Sequence, residues 1–487
     1  MGTPLCTIAE VRAAEQTAQR ELPAGTLMAR AGAAVASRIA TLQSGKPLSI
    51  CVVAGPGNNG GDGYVAATEL QAARHRVTCI QLAEPVTGDA RDALARWRAS
   101  GGTTRKDWAA QKNFDVIVDA VLGIGQTRPL QGTLLAAVQW INEQRTHVLA
   151  IDVPSGLDAD RGCWIGGVEG VRASETITFI ADKPGLHTGD GVDAAGTVTL
   201  DTLGIETTHA RTTLADPADF SQIVAPRRRN THKGSYGNAL VIGGGTGMVG
   251  AALLAARAAL IIGAGRVYVD CIGAPEFRVD PCQPELMFRP YASIENPHSI
   301  VIGCGLGKSD AARRALQWAL DSDASLIIDA DALNLLSQGP ALGECLAARN
   351  ATTVLTPHPL EAARLLETSA DKIQFDRIMR TRELASRYRS LVMLKGAGTI
   401  IVHTNGRCAI NPTGSPALAT AGTGDVLAGL LGGLLAQHFD PWQTTLAAVW
   451  LHGRAGDGRD VGLVAGDIAK RAADELARLR AVGIATG

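Results

Sequence analysis

The sequence predicts an α/β protein made of two doubly wound domains in tandem, and three observations carry that prediction. Apolar β-rich runs at 48–54, 76–82, 115–121 and 147–153 alternate with Ala-rich segments of helical spacing, the pattern of parallel strands joined by crossover helices. A fresh series at 239–242, 267–271, 299–303, 325–329, 353–356 and 391–394 repeats the pattern. The length of 487 residues exceeds what one hydrophobic core ordinarily spans and suits two.

In chain order, two further β-like runs at 175–181 and 197–200 close the first half, which is expected to occupy residues 1–215. A polar, Pro-containing stretch ending in Arg227, Arg228 and Arg229 then reads as a linker over 216–228, with the second domain at 229–487. The last section, 424–437, 443–456 and 465–480, reads as consecutive helices without an intervening strand. That asymmetry favours a kinase-like α/β fold for the second half over another plain dinucleotide-binding unit.

Bulk properties narrow the function. Hydrophobic residues make up 46% and charged residues 19%, with 56 glycines, a mix for a folded α/β protein rich in turns. A formal net charge of −1 provides no global attraction to nucleic acid or to an anionic membrane, so anionic ligands must be held by local groups. Three arginines at 227–229 read as a solvated loop. Nine cysteines without a CxxC pair argue against a zinc ribbon, a redox motif or a disulfide framework. No secretory signal or membrane-length apolar stretch is evident. A cytoplasmic protein is expected.

The first chemical constellation is Gly55-Pro56-Gly57-Asn58-Asn59-Gly60-Gly61-Asp62-Gly63, placed between a strand and a helix. Backbone N–H groups at such a helix start can face an anion. The stretch contains GxGxxG, and Glu84 after the next strand stands where a ribose-binding acid would, which admits a dehydrogenase. Asn58, Asn59 and Asp62 add polarity that a plain dinucleotide loop does not need. Asp119 and Asp152 end two other strands, and Ser155 follows the second. Amide, carboxylate and carbonyl oxygens at one sheet edge suit a hard cation, although each such residue can also serve a turn for local reasons.

The second constellation pairs Asn411-Pro412-Thr413-Gly414-Ser415 with Ala421-Gly422-Thr423-Gly424-Asp425 before an apolar helix. Small residues there expose successive N–H groups to an anion, and Asp425 stands beside it. A carboxylate so close to phosphate is explained if it takes the proton from an attacking hydroxyl; otherwise it is a helix-start residue favoured by the dipole. No GxxxxGK[ST] and no HRD or DFG set occurs, which excludes a P-loop NTPase and a protein kinase.

The first half, through NNGGDG, the upstream Leu27-Met28-Ala29-Arg30-Ala31-Gly32, Asp152–Asp158 and Phe179–Leu186, resembles the NAD(P)H-hydrate epimerase domain over about residues 5–210. The resemblance implies that Asn58, Asn59, Gly60, Gly61 and Asp62, the loop Gly123, Ile124, Gly125, Gln126, Thr127, Arg128 and Pro129, and Asp152 touch the hydrated nucleotide. It implies potassium at Asn59, Asp119 and Ser155, and Asp62 and Lys183 are candidates for proton handling. A binding protein without catalysis is the other reading of this half.

The second half resembles the ribokinase-like superfamily in GTGD. In His232–Gly237, Ile302–Gly307, Asp329–Asn334, Thr356–Glu361 and Leu394–Thr399 it resembles the ADP/ATP-dependent NAD(P)H-hydrate dehydratases over about 225–482. The resemblance implies the hydrated substrate at Ala251, Gly305, His358 and Asp425, and an adenine nucleotide at Lys395, Gly396, Ala397, Gly398, Thr399 and Gly424. Asp425 would be the general base, Mg2+ would accompany the nucleotide, and ADP would be the co-substrate. Cys304 replaces the proline usual between those glycines. Together the halves imply repair of hydrated NADH and NADPH by a homo-oligomer: epimerisation of R and S forms, then dehydration of the S form. The alternative is a vitamin or sugar kinase of the ribokinase-like superfamily fused to a nucleotide-binding module.

Overall fold

The computed structural model describes residues 2–42, 46–108, 113–207 and 210–483. It divides into two units, one spanning Pro4–Thr212 and the other Thr213–Gly487 with the first three residues. The strands of the first part are β1 (Thr3–Leu5), β2 (Ser49–Ala54), β3 (Arg76–Gln81), β4 (Thr104–Arg105), β5 (Val116–Ala120), β6 (His147–Ile151), β7 (Glu175–Phe179) and β8 (Thr197–Asp201). Seven of them form one sheet in the order β4-β3-β2-β5-β6-β7-β8, with every adjacent pair parallel. Chain order reverses between β2 and β5. In doubly wound sheets the crevice beyond the carboxyl ends of such strands is where ligands bind.

The strands continue with β9 (Thr212–Leu214), β10 (Asn238–Gly243), β11 (Arg266–Cys271), β12 (Met287–Phe288), β13 (Ser299–Ile302), β14 (Ser325–Ile328), β15 (Thr353–Leu355), β16 (Leu391–Leu394), β17 (Ile400–Val402) and β18 (Cys408–Ile410). The sheet runs β1-β9-β18-β17-β16-β15-β14-β13-β10-β11-β12. Pairs from β12 to β16 are parallel, and β16 with β17 and β17 with β18 are antiparallel. The order reverses again between β10 and β13, which marks the second crevice. Strand centres such as Val52, Val118, Val241 and Val301 are fully buried, as strands covered on both faces must be.

The helix Thr423–Leu435 is apolar nearly all round because it is packed on several sides. A Cβ on Gly429 would lie 2.1 Å from the Ala255 carbonyl oxygen, and one on Gly433 2.5 Å from that of Ala259. These two glycines, one helical turn apart, let the helix Val249–Ile261 approach at backbone distance. Three consecutive helices end the chain, Thr423–Leu435, Pro441–Gly456 and Ala465–Val482.

The stretch 216–228, expected as a linker, is folded into the second unit instead. Phe220 and Ile223 are fully buried there, and the Phe220 ring lies 5.9 Å from that of Trp450. Burial of such side chains stabilises by roughly 1.5–3 kcal/mol each, enough to fix a short polar segment. Arg227 donates to the Gly263 carbonyl at 3.0 Å and stacks on Tyr236 at 3.9 Å. No disulfide joins the cysteines, and no described helix is long and apolar enough to cross a membrane.

Candidate functional site

In the first unit the helix Asn58–Ala72 begins directly beyond β2. Its glycines are packing devices. A Cβ on Gly55 would meet the Val121 carbonyl oxygen at 1.9 Å, one on Gly60 the Gly55 carbonyl oxygen at 2.1 Å, and one on Gly63 the Ala120 side chain at 2.6 Å. This closeness lets Asn59 and Asp62 face a cleft of about 440 Å³ that is also lined by Asn58, residues 121–126 and Asp152. Thr127, Arg128 and Pro129 are not among its lining residues.

Asn59 is 7% exposed, yet neither its Oδ1 nor its Nδ2 has a hydrogen-bond partner. Buried polar atoms ordinarily find one, so this amide is poised for something that enters the cleft. Asp62 has its carboxyl pushed well above the usual range, by burial first and then by the charges of Asp152 and Glu15. The same burial and neighbouring charges favour the protonated form of this carboxyl. Glu15, from the helix Ile8–Gln19, is likewise raised by burial and by Asp152. Nothing in its local sequence signals a place in the cleft.

Asp119 is fully buried. Its carboxylate accepts the Ser155 N–H at 2.9 Å, the Ser155 hydroxyl at 2.7 Å and the Val121 N–H at 3.1 Å. Burial raises its pKa to about 6 against these bonds. Asp152 sits in the left-handed region at φ 69°, where Asp is among the few residues tolerated. Its Oδ2 accepts the Ile124 N–H at 3.2 Å and its Oδ1 the Lys183 ammonium at 2.8 Å.

Lys183 does not reach the cleft. It is fully buried, and its Nζ also meets Thr178 Oγ1 at 2.6 Å and the carbonyls of Phe179 and Ala181 at 3.0 and 3.1 Å. Three N–H bonds facing four oxygens are saturated. Lys183 thus acts on Asp152 and not on a cleft-bound ligand.

The second unit gathers its groups at the β10/β13 crevice. Gly305, at φ 59°, stands against Met248 and Ala251: a Cβ there would lie 2.8 Å from the former's Cβ and 3.1 Å from the latter's. The Cys304 thiol and carboxylate oxygens of Asp329 and Asp425 lie within 4.8 Å of one another. Lys395 Nζ donates to Asp329 Oδ1 at 2.7 Å and would lie 3.4 Å from a Cβ on Gly424. Asp425 occupies the first turn of Thr423–Leu435, after Gly422 at φ 87°. Burial first and the charge of Asp329 second raise its pKa to about 6, against Cys304 and Lys395, which lower it. A base with this pKa is ionised at neutral pH and still able to hold a proton.

His358 caps the helix Pro359–Leu365, its Nδ1 accepting the Leu360 N–H at 3.1 Å. Burial and then the charge of Lys395 lower its pKa, and an Nδ1 that accepts a backbone N–H leaves the ring proton to Nε2. The loop Lys395–Thr399 turns through Gly396 at φ 135° and Gly398 at φ 59°. Beneath it lies Arg377, 1% exposed, whose guanidinium would be 3.0 Å from a Cβ on Gly396. The 411–415 stretch is pinned to Pro441–Gly456, with Thr413 Oγ1 donating to the Trp450 carbonyl at 2.9 Å and Ser415 Oγ to that of Gly456 at 2.6 Å.

In this second unit two contributors are not legible in the sequence. Asp329 appeared only as part of a motif, and its partnership with Lys395 spans 66 positions. His452, held neutral by burial at a pKa of about 4, donates from Nε2 to the Thr423 carbonyl at 2.9 Å and so braces the start of the Asp425 helix.

Residues 239–477 match the family described as NAD(P)H-hydrate dehydratase, and residues 24–185 the family described as YjeF-related protein N-terminus. The bifunctional NAD(P)H-hydrate repair enzyme of Coxiella burnetii is 36% identical over 464 residues, covering 91% of this chain and 93% of that protein. Its counterpart in Escherichia coli is 35% identical over 421 residues, 83% of this chain and 80% of that protein. A crystal structure of ADP/ATP-dependent NAD(P)H-hydrate dehydratase from Bacillus subtilis, co-crystallised with ATP/Mg2+, aligns at 30% identity and a TM-score of 0.47, covering 53% of this chain and 97% of that one. The chain belongs to the family of bifunctional NAD(P)H-hydrate repair enzymes, in which an epimerase domain precedes a dehydratase domain.

Proposed function

We propose that the first domain interconverts R and S hydrates of NADH and NADPH, and that the second returns the S hydrate to NADH or NADPH while ADP becomes AMP and phosphate. The observation that carries the second assignment is Asp425, a carboxylate with a pKa of about 6 at the mouth of a glycine-rich helix start beside Lys395. It takes the proton of the ring hydroxyl as that oxygen attacks the terminal phosphorus of ADP. The bond to AMP breaks, the ring nitrogen's lone pair expels phosphate, and loss of the neighbouring C–H proton restores the double bond. Backbone N–H groups of residues 422–424 support the transferred phosphoryl oxygens. Lys395–Thr399 with Gly424 hold the nucleotide, while Ala251, Gly305 and His358 seat the hydrated ring.

The Cys304, Asp329 and Asp425 cluster does not suit a resident hard cation. Burial keeps the thiol protonated, and the Lys395 ammonium already occupies Asp329. Magnesium enters as part of the Mg·ADP substrate, bound through phosphate oxygens, which suits an ion that keeps few protein ligands.

In the first domain, Asp62 gives its proton to the departing hydroxyl and takes one back when water returns on the opposite face, with the ring nitrogen assisting. Asn58 to Asp62, residues 123–126 and Asp152 hold the nucleotide, with Thr127, Arg128 and Pro129 continuing that loop outside the cleft lining, and Lys183 fixes Asp152. Asn59 and Asp119 suit potassium: the first has an orphaned buried oxygen, the second is a buried carboxylate with no ion-pair partner among the described residues. Ser155 Oγ, already bonded to Asp119 and Leu122, has one lone pair to add. Bound there, potassium would offset the buried negative charge and orient the Asn59 amide. We further infer that the protein works in the cytoplasm as a homo-oligomer.

The test is direct. Purified protein is given S hydrate with ADP, ATP or neither, and NADH absorbance, AMP and phosphate are followed. NADH and AMP appearing in equal amounts with ADP support the reading; NADH return without any nucleotide overturns it.

A further inference from the structure

A second cleft, of about 320 Å³, opens at the carboxyl edge of the first domain's sheet. It is lined by Gln81 at the end of β3 and Leu82 to Glu84 beyond it, by Lys106 and Trp108 after β4, and by Thr133 at the start of the helix Gly132–Glu143. None of these residues serves the chemistry assigned to Asp62. The chain passes from this cleft to the first within two residues, since Glu84 lines one and Val86 the other. Between them lies the Gly55–Gly57 turn: the Leu82 N–H donates to the Ala54 carbonyl at 3.0 Å and the Val86 N–H to that of Pro56 at 2.9 Å. The two clefts therefore flank a helix N-terminus, the place where a pyrophosphate sits in doubly wound folds.

We propose that this second cleft is the adenosine subsite of the epimerase. It would hold adenine against Trp108, and the 2′ position of the ribose between Glu84 and Lys106. The proposal rests on the epimerase reading and deepens it. The Trp108 indole is half-buried against the apolar core that includes Ile80 and Ile117, and it forms a wall of the cleft; an aromatic face of this kind accepts any base by stacking. Glu84 and Lys106 are exposed, and neither has an ion-pair partner among the described residues. A carboxylate after the second strand of such a sheet accepts bonds from the hydroxyl of a 2′-OH ribose, while a cation beside it receives a 2′-phosphate. One cleft carrying both charges explains how one epimerase accepts hydrates of NADH and of NADPH.

The experiment measures R/S exchange without adenine nucleotide, so that the dehydratase contributes nothing, and compares kcat/KM for the two hydrates in wild-type protein and variants. Lys106→Ala is expected to lower the NADPH-hydrate to NADH-hydrate ratio about tenfold, the loss of one charge-assisted phosphate contact. Glu84→Gln is expected to raise it severalfold, and Trp108→Ala to lower both substrates together, through KM and not kcat. Circular dichroism and melting of each variant separate these effects from misfolding. Wild-type exchange with a selectivity ratio unmoved in both charge variants overturns the subsite while leaving the epimerase reading intact. Absence of exchange in wild type overturns the epimerase reading, and the subsite is then judged by direct titration of NADP+ against NAD+ on the same variants, where an unmoved ratio overturns it as well.

Discussion

The substitution Asp425→Asn keeps the size of the side chain and removes the base. With a pKa of about 6, the wild-type carboxylate is about nine-tenths ionised at pH 7 and about one-tenth at pH 5. The base works ionised, so dehydration must fall as pH drops through 6, by about tenfold from pH 7 to pH 5. The amide of the variant cannot accept the proton at any pH. General-base removal costs on the order of 10²–10⁴ in rate, or about 3–5.5 kcal/mol of barrier. Nucleotide KM should not rise, because the substitution also relieves a negative charge beside the phosphates. The assay is NADH return from S hydrate and saturating Mg·ADP between pH 5 and 8. A variant that loses less than tenfold, or that retains the acid limb near pH 6, refutes the role given to Asp425.

Further outcomes follow from the same geometry. Lys395→Met leaves Asp329, 2% exposed in its side chain, buried without its partner; unfolding in denaturant should show a loss of about 3 kcal/mol, and ADP KM should rise, with the added change Asp329→Asn restoring stability but not ADP binding. Gly429→Val forces a side chain to within 2.1 Å of the Ala255 carbonyl oxygen and should destabilise by at least about 1–3 kcal/mol, whereas Gly57→Ala, with nothing within 4 Å of the added carbon, should melt as wild type does. Asn59→Ala should abolish any preference of R/S exchange for potassium over sodium; a preference that persists places the ion elsewhere. Lys183→Met should slow exchange by freeing Asp152, and restored exchange in Lys183→Arg would argue for a positioning part.

Both sheets were legible because their central strands are continuous apolar runs, such as 50–54 and 239–242, bounded by glycine. What escaped was short or long-range. Strands β17 and β18 are three residues each, too short for a periodic signal, although Asn405-Gly406 between two apolar runs was a hairpin cue. The segment 216–228 hides its anchors, Phe220 and Ile223, among polar residues, and their burial depends on helices far along the chain. The candidate site loops stand out by residue type: NNGGDG and GTGD place polar groups where a turn alone would not need them. The buried state of Lys183 does not, because lysine is almost never fully buried unless paired and its four oxygen partners come together only in the fold. Glu15 and His452 are silent for the same reason, each defined by a neighbour on another element.

An epimerase domain followed by a dehydratase domain lets one chain clear both epimers of the hydrate. A defined mixture of R and S NADH hydrate, incubated with the protein and excess Mg·ADP, tests it most directly. Complete return of NADH absorbance, with one AMP formed per NADH, is the predicted result. Return that stops at the initial S fraction would contradict the epimerase half, and no return would contradict the dehydratase half.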